Sequence, residues 1–242
     1  MVRENVLWTS KKWKAGNTRE IPAGKFDPED NVLQFGKAGG DSPGRKCTID
    51  GQGNLFLSGH QTRIFPHISN TNSELEFYCM VTDERLASIS TKSRSRHNEG
   101  GSKSNRFGGY GCSFDFEKQR ISWKIEYYHN VHSRGVNKDL EKRLKLGMEY
   151  GFKTQLQTKE DGSAVIHKAF IKYPDENEWT SVGQVKWTEA NWDTDEEDDT
   201  FHKPVLDEGK YFWIRINAKD DSSFAQDVRF SNVTIRDLDP ID

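Results

Sequence analysis

Apolar and polar residues alternate with a period of two along most of this chain. In the stretch ISWKIEYY, every second residue from Ile121 to Tyr127 is apolar, whereas Lys124 and Glu126 take positions between them. Successive side chains of a β-strand point to opposite faces, so this alternation predicts a strand with one face turned towards a core. The same alternation recurs in the stretches SELEFYCMVT, GYGCSFDF, KYFWIRIN and DVRFSNVTIRDL.

Turn residues separate these segments and complete the prediction of an all-β fold. Asp161-Gly162 lies between two alternating runs, which is a strong hairpin signal, and residues 117–119 separate another pair. We expect about ten to fourteen strands and almost no helix, with NKDLEKRLKLGM as the best helical candidate. This pattern is typical of a sandwich, a jelly roll or a barrel. Of these, we expect a two-sheet antiparallel β-sandwich of jelly-roll type that forms a single domain over residues 1–242.

The composition agrees with a sandwich and argues against a highly charged partner. Aromatic residues make up 12% of the chain, including seven Trp, against 33% hydrophobic residues overall. A core with few aliphatic residues and many large rings suits two sheets packed face to face. The formal net charge is −3, from 35 basic and 38 acidic residues. Because no strong field of one sign results, we expect neither nucleic acid nor an anionic membrane as partner.

Little in the chain points to a membrane or to a disulfide framework, and we expect a monomer. No apolar run approaches the roughly 18 residues of a membrane helix. The stretch MVRENVLWTSKKWKAG lacks the apolar core of a secretory signal, which predicts a cytoplasmic protein or a mature form that has lost its leader. Cys47, Cys79 and Cys112 lack metal-ligand spacing, so we interpret them as small core residues. A disulfide between Cys79 and Cys112 is the alternative, because both residues fall on the apolar side of their predicted strands.

The polar positions of several predicted strands carry large rings, amides and charges of both signs. They are Glu76, Tyr78, Lys124, Glu126, Tyr128, Lys153, Gln155, Gln157, Trp213, Arg215 and Asn217. Rings stack on the apolar faces of sugars, while amides and charges bind hydroxyl groups or carboxylates. If these strands are neighbours, they predict a groove on a concave sheet for a polysaccharide or oligosaccharide. The alternative is a charged, solvated face without a ligand.

Two segments interrupt the strand pattern. The polar, basic stretch of residues 90–109 is too long for a hairpin turn, and we expect it to border the groove with Arg96 and His97. Six of the seven residues from Asp193 to Asp199 are acidic. This segment is either a solvated loop or a site for a structural Ca²⁺, which prefers several oxygen ligands. No cofactor is required by the predicted chemistry, and no metal ligands are assigned.

The succession of short strands resembles the concanavalin A-like lectin and glucanase superfamily, as do the stretches GNLFLSGHQTRIF and FWIRINAKDD. Within it, the jelly-roll polysaccharide lyases of the alginate lyase type offer partial matches. Ser73-Glu74-Leu75 corresponds to part of their Arg-Ser/Thr-Glu-Leu run, with Asn72 in place of Arg. Residues 165–167 and 211–213 correspond in part to two further motifs. The resemblance implies a sandwich that binds glycans and, for the lyase group, cleavage by β-elimination.

The first mechanistic hypothesis is a lyase acting on a glycan that contains uronic acid. Elimination needs a group that neutralises the sugar carboxylate, a base near the C5 proton and an acid for the leaving oxygen. The candidates for the first role are Arg63, Arg215 and Gln155. His97, His129 and Tyr128 are candidates for the proton transfers, with Lys124 lowering the pKa of a tyrosine. The remaining candidates for substrate binding are Arg96, Gln157, Trp213 and Asn217.

Two alternatives remain open. A retaining glycoside hydrolase would use Glu76 and Glu126, because retaining enzymes hold two carboxyl groups roughly 5 Å apart and adjacent strands can provide that spacing. Lys124 would keep Glu126 ionised, which suits a nucleophile better than an acid. A non-catalytic, lectin-like protein would need only the groove, and it would bind glycans without forming products.

Overall fold

The computed structural model describes residues 5–14, 17–36, 45–95, 109–128, 132–188, 190, 209–220 and 225–242. Arg96, His97, His129 and the acidic segment Asp193–Asp199 lie outside these residues. The elements in chain order are β1 (Val6–Thr9), a 3-10 helix (Ser10–Lys14), β2 (Arg19–Glu20), β3 (Phe26–Asp27), β4 (Asp30–Gly36), β5 (Lys46–Ile49), β6 (Asn54–Gly59), β7 (Arg63–Pro66), β8 (Ser73–Met80), β9 (Leu86–Ser95), β10 (Gly109–Asp115), β11 (Arg120–Tyr128), β12 (His132–Asp139), β13 (Glu149–Thr158), β14 (Ala164–Lys172), β15 (Thr180–Thr188), β16 (Tyr211–Ala218) and β17 (Ala225–Asp237).

The strands form two antiparallel sheets. The nine-stranded sheet has the order β15-β14-β13-β8-β17-β6-β5-β2, with β1 paired to β17. The eight-stranded sheet has the order β12-β11-β10-β9-β16-β7-β4-β3. Every pairing between these strands is antiparallel. Strands that follow one another in the chain, such as β8 and β9, often belong to different sheets, so the chain crosses repeatedly between the layers.

Large rings join the two sheets. Phe114 of β10 lies in the eight-stranded sheet and Phe152 of β13 in the nine-stranded sheet, and their ring centroids are 4.5 Å apart. Within the nine-stranded sheet, the ring of Phe77 of β8 lies 5.6 Å from that of Phe152. One cluster of buried apolar residues includes side chains from both sheets. The prediction of an all-β, two-sheet antiparallel sandwich is therefore confirmed, whereas the extent of the domain over residues 1–242 stays a prediction.

The cysteines contribute to this core as thiols. Cys47, Cys79 and Cys112 are all buried and free, so the open pairing of Cys79 with Cys112 does not form. Desolvation raises the pKa of each thiol above its ordinary value. They act as small apolar residues, as the sequence predicted.

The helix expected over residues 137–148 is absent from this described stretch. β12 runs to Asp139 and pairs with β11, and the chain then continues without regular structure to β13. The side chain of Gln119 bonds both backbone groups of Leu144, accepting from its N–H at 2.7 Å and donating to its carbonyl at 3.1 Å. Leu144 is buried in the core. The pairing of β12 with β11 and the hydrogen bonds from Gln119 outweigh the weak helical spacing of the apolar residues, because tertiary contacts override local propensity. Among the described residues, no helix is long and apolar enough to cross a membrane.

Candidate functional site

The register of the eight-stranded sheet aligns polar side chains across four neighbouring strands on its outer face. Lys92 of β9 lies opposite Gly111 of β10, and Gly111 lies opposite Lys124 of β11. On its other side, Lys92 pairs with Trp213 of β16. Directly opposed residues point to the same side of a sheet. Because Ile125 next to Lys124 is buried in the core, this row points away from the core.

Gly111 allows the two lysine side chains to approach each other. A Cβ atom at this position would lie 3.2 Å from Cγ of Lys124 and 3.5 Å from Cγ of Lys92. The aliphatic parts of both lysines therefore pass over the glycine. Any larger residue would push them apart.

Glu126 joins the ammonium groups of the two lysines. Nζ of Lys92 donates a hydrogen bond to Oε2 of Glu126, and Nζ of Lys124 lies 3.7 Å from the same oxygen. Lys92 is only 2% exposed and Glu126 only 6%. The side chain of Lys124 is 43% exposed, so the site is reached from solvent on the Lys124 side.

Two arginines extend the site around Trp213. Arg63 of β7 lies opposite Arg215 of β16 in the register. Arg215 Cζ is 4.6 Å from the centroid of the Trp213 ring, and Arg63 Cζ is 5.4 Å from it. Nζ of Lys92 is a third cation near this ring, at 4.8 Å. The cationic cluster comprises Arg63, Lys92, Lys124 and Arg215 together with Glu126 and Trp213.

The electrostatics of the cationic cluster follow from burial and from its excess of positive charge. Desolvation lowers the pKa of Lys92 to about 7, with Glu126 opposing the shift and Lys124 and Arg215 adding to it. Desolvation and the nearby Arg63 lower the pKa of Arg215 to about 10. The pKa of Lys124 is also lowered, chiefly by desolvation. A bound anion would offset this excess of positive charge.

Hydroxyl and amide groups continue the outer face beside the cluster. Asn217 donates hydrogen bonds to Oγ of Ser88 and Oγ of Ser90, each at 3.0 Å. Oγ of Ser90 also lies 3.0 Å from Oγ of Ser113. These hydroxyl and amide groups bond one another across β16, β9 and β10.

Sequence reasoning missed Lys92 because residues 90–109 were interpreted as one loop, whereas β9 continues to Ser95 and β10 begins at Gly109. A signal for the strand was nevertheless present. In the stretch SISTKSRS of β9, Ser88, Ser90 and Lys92 share one parity. The inward positions of β9 after Ile89 are also polar, namely Thr91 and Ser93. The alternation of apolar and polar residues that marked the other strands is therefore missing here. Reading parity from Ile89, which is buried in the core, would have placed Lys92 on the outer face.

The structure separates the predicted site residues into two groups on opposite faces of the sandwich. Lys124, Glu126, Arg63, Trp213, Arg215 and Asn217 lie on the eight-stranded sheet, whereas Glu76, Gln155 and Gln157 lie on strands of the nine-stranded sheet. The prediction that Glu76 and Glu126 could occupy adjacent strands is wrong. Both point away from the core, but from different sheets, so they cannot serve one glycosidic bond. Tyr128 ends β11, and its side chain lies outside the described part of the structure.

The polar residues on the nine-stranded sheet form their own ion-pair network. Arg236 donates to Oε1 of Glu74 at 2.7 Å and to Oε2 of Glu76 at 3.1 Å. Nζ of Lys153 lies 3.5 Å from Glu76, and Gln155 donates to Glu74 at 2.7 Å. Gln157 donates to the backbone carbonyl of residue 239 at 2.9 Å. These side chains bond one another, which fits a structural role better than a ligand site.

No metal centre emerges from the residues that the structure describes. Within them, no group of three or more His, Cys, Asp or Glu side chains could hold a metal ion. The acidic segment that prompted the Ca²⁺ hypothesis lies outside the described ranges, so that hypothesis stays a prediction.

Comparison with solved structures places the fold in a known class. The chain is similar to a laminarinase from Rhodothermus marinus, with 10% identity, a TM-score of 0.53 and coverage of 97% of this chain and 98% of that chain. A non-specific endo-β-1,3(4)-glucanase co-crystallized with 1,3-β-D-cellobiosyl-cellobiose gives 8% identity, a TM-score of 0.53 and coverage of 98% and 96%. A lichenase derived from a mouse hindgut metagenome gives 9% identity, a TM-score of 0.51 and coverage of 92% and 99%.

These likenesses concern the fold. No family model matches the chain, and no curated protein does. The fold is the concanavalin A-like jelly roll, as the strand pattern predicted. The chain thus has the concanavalin A-like fold, with a partly buried cationic cluster on the outer face of its eight-stranded sheet.

Proposed function

We propose that this protein binds an acidic polysaccharide at the cationic cluster and cleaves it by β-elimination. The observation that carries the proposal is the grouping of four basic side chains. Lys92 and Lys124 lie against the carboxylate of Glu126, and Arg63 and Arg215 lie beside the ring of Trp213. A carbohydrate ligand is supported by the fold, which is shared with a laminarinase, a glucanase and a lichenase. A fold does not define a reaction, so the chemistry rests on the cluster itself.

The charge of the cluster favours a uronic acid over a neutral sugar. Arg215 is largely desolvated, and its Nε donates to no acceptor in the part of the chain that the structure describes. A buried donor without a partner costs roughly 1–3 kcal/mol, which a ligand carboxylate would recover. Arginine binds carboxylates with two parallel hydrogen bonds, so Arg215 is the best candidate to hold the uronate.

The same cluster is poorly suited to hydrolysis with two carboxylates. Among the described residues, Glu126 is the carboxylate that ion-pairs within the cluster, and Lys92 and Lys124 both favour its ionised form. An acid that must protonate the leaving oxygen needs a raised pKa instead. Glu126 therefore acts as a positioning residue that holds the lysines.

Lys124 is the candidate for the proton transfers. Its pKa is lowered and its side chain is the exposed one in the cluster, so it can act as a base towards a bound sugar. The neutral amine removes the proton from C5, and the C–H electron pair forms the C4–C5 double bond as the bond from C4 to the leaving oxygen breaks. The resulting ammonium group returns the proton to that oxygen. Arg215 stabilises the negative charge that develops on the carboxylate.

The test is a panel of polyglucuronate, polygalacturonate and alginate, with a neutral β-1,3-glucan as control. Elimination produces an unsaturated sugar that absorbs near the ultraviolet edge. We expect this absorbance from the wild type with a polyuronate, and its loss in Lys124→Met. Lys153→Met is the matched control, since Lys153 pairs with carboxylates on the other sheet.

Each other result identifies an alternative. New reducing ends without absorbance would indicate a hydrolase, and retardation of the protein in a glycan-containing gel without product would indicate a binding protein. Full activity of Lys124→Met would refute the mechanism.

A further inference from the structure

The cationic cluster lies where the outer face of the eight-stranded sheet changes from exposed to buried. Gly135 of the edge strand β12 lies opposite Lys124; Gly135 is exposed, and the side chain of Lys124 is partly exposed. Further along the same row, Lys92 of β9 and Trp213 of β16 are each only 2% exposed. A ligand therefore approaches this row from the β12 edge of the sheet.

The neighbouring row, which contains Arg215, shows the same change. From β12 inwards, its residues are Asn137, Ser122, Ser113, Ser90, Arg215 and Arg63. Asn137 is exposed and Ser122 is half-buried, whereas Arg63 at the other end is 8% exposed. Arg215 is half-buried, so an anion that comes from the β12 side meets Arg215 before Arg63.

The outer face is closed beyond Arg215. Phe65 of β7 and Trp213 form a buried apolar pair, and the guanidinium carbon of Arg63 lies 5.2 Å from the centroid of the Phe65 ring. The Phe65 ring also lies against Gly36 of β4, where a Cβ atom would be 1.8 Å from it. A sugar unit could contact these side chains only by breaking this packing. We call Arg63, Phe65 and Trp213 the closed side of the cluster.

The positions of Lys124 and Arg215 relative to the closed side orient a bound uronate. In the proposed elimination, Lys124 acts at C5 and at the oxygen on C4, while Arg215 holds the carboxylate. C1 lies opposite C4 across a pyranose ring. When C4 faces Lys124 and the β12 edge, C1 faces the closed side, which leaves no room for a further sugar unit on C1.

The open part of the face accommodates the remainder of the chain. Residues 135–139 of β12 are all exposed. Four strand spacings separate β16 from β12, which corresponds to about 19 Å at about 4.8 Å per spacing. This length suits several sugar units lying across the strands. The glycan thus extends from C4 of the bound uronate, over Lys124, to the edge of the sheet.

We propose that the cationic cluster acts on the reducing end of the glycan and releases one unsaturated uronate at a time. This inference rests on the proposed function. The bond between C4 of the terminal uronate and the bridging oxygen breaks, and the C5 proton passes through Lys124 to that oxygen. The oxygen becomes the C1 hydroxyl of the shortened chain, which thereby gains a new reducing end. The same site can then bind that end.

The test follows the products of size-defined oligouronates by mass spectrometry over time. We expect each oligomer to be shortened by one unit, together with a released uronate that is one water lighter than the product of hydrolysis. Oligomers whose reducing end has been converted by borohydride to an open-chain alditol have no terminal ring and should lose cleavage. Their unreduced counterparts are the matched control.

A charge placed on the open part of the face tests where the chain lies. Asn137→Glu puts a carboxylate beside the expected path and should lower kcat/KM for long oligouronates roughly 2- to 5-fold at low salt, because like charges at an exposed site repel only weakly. Gln184→Glu is the matched control, since Gln184 is exposed on β15, an edge strand of the other sheet. Equal effects of the two substitutions would overturn this placement of the chain.

The outcomes separate this inference from the proposed function. Unsaturated products of many lengths at the earliest time points would show cleavage within the chain, and release of a saturated uronate would show attack at the other end. Either result overturns the inference and leaves the proposed function standing, as does equal cleavage of reduced and unreduced oligomers. If no oligouronate yields an unsaturated product, both are refuted.

Discussion

The buried pair of Lys92 and Glu126 makes a prediction that depends on the sign of a pKa shift. Lys92 has a folded-state pKa of about 7, far below its ordinary value of 10.5, because it is desolvated. The unfolded chain therefore binds more protons than the folded one between these two values, and the contribution of Lys92 to stability rises with pH across that window. Below pH 7 Lys92 is charged in the folded protein as well. The ion pair with Glu126 stabilises this buried charge.

Replacement of Glu126 by Gln removes that partner and should destabilise the protein more at acid pH than at alkaline pH. At pH 8 Lys92 is mostly neutral, so the ion pair contributes little to stability. At pH 5.5, about 1.5 pH units below the pKa of Lys92, the charged pair can contribute up to about 2 kcal/mol, at 1.36 kcal/mol per unit. The loss of free energy of unfolding in Glu126→Gln should therefore be larger at pH 5.5 by up to about 2 kcal/mol.

Urea denaturation followed by tryptophan fluorescence at both pH values measures this difference. Glu76→Gln is the matched control, since Glu76 pairs with Arg236 and Lys153 on the opposite sheet. We expect no comparable growth of its effect between pH 8 and pH 5.5. An equal loss of stability in Glu126→Gln at the two pH values would refute the reasoning, because it would mean that Lys92 does not titrate in this range.

Three further predictions concern single residues. Gly36→Ala should destabilise the protein by about 1–3 kcal/mol in urea denaturation, because its Cβ would lie 1.8 Å from the Phe65 ring; unchanged stability would contradict this packing. His167 is buried, and desolvation lowers its pKa from 6.5 to about 3. Below pH 6.5 the unfolded chain therefore binds a proton at His167 that the folded protein does not, and the free energy of unfolding falls as the pH falls towards 3. His167→Leu should flatten that acid loss, and NMR should show no titration of wild-type His167 between pH 5 and 8. Under the proposed function, kcat/KM should fall with decreasing pH as Lys124 becomes protonated; a flat profile would exclude Lys124 as the base.

The faces of individual strands could be predicted from the sequence with accuracy. Ile121, Trp123 and Ile125 are buried, and Lys124 lies on the other side of β11, as their alternation indicated. This works because a strand is a local structure whose side chains must alternate, and burial of apolar surface selects the side. The all-β class followed from many such strands separated by turn residues.

The composition of the site could not be obtained in this way. Parity assigns a side chain to an inner or outer face, but the sandwich has two outer faces, and only strand order decides between them. Glu76 and Glu126 have the same outward parity, yet β8 and β11 belong to different sheets. Lys92 meets Trp213 because β9 pairs with β16, which are more than 100 residues apart in the chain. Such pairings depend on how all the strands pack around one shared core, so the tertiary structure alone brings the cluster together.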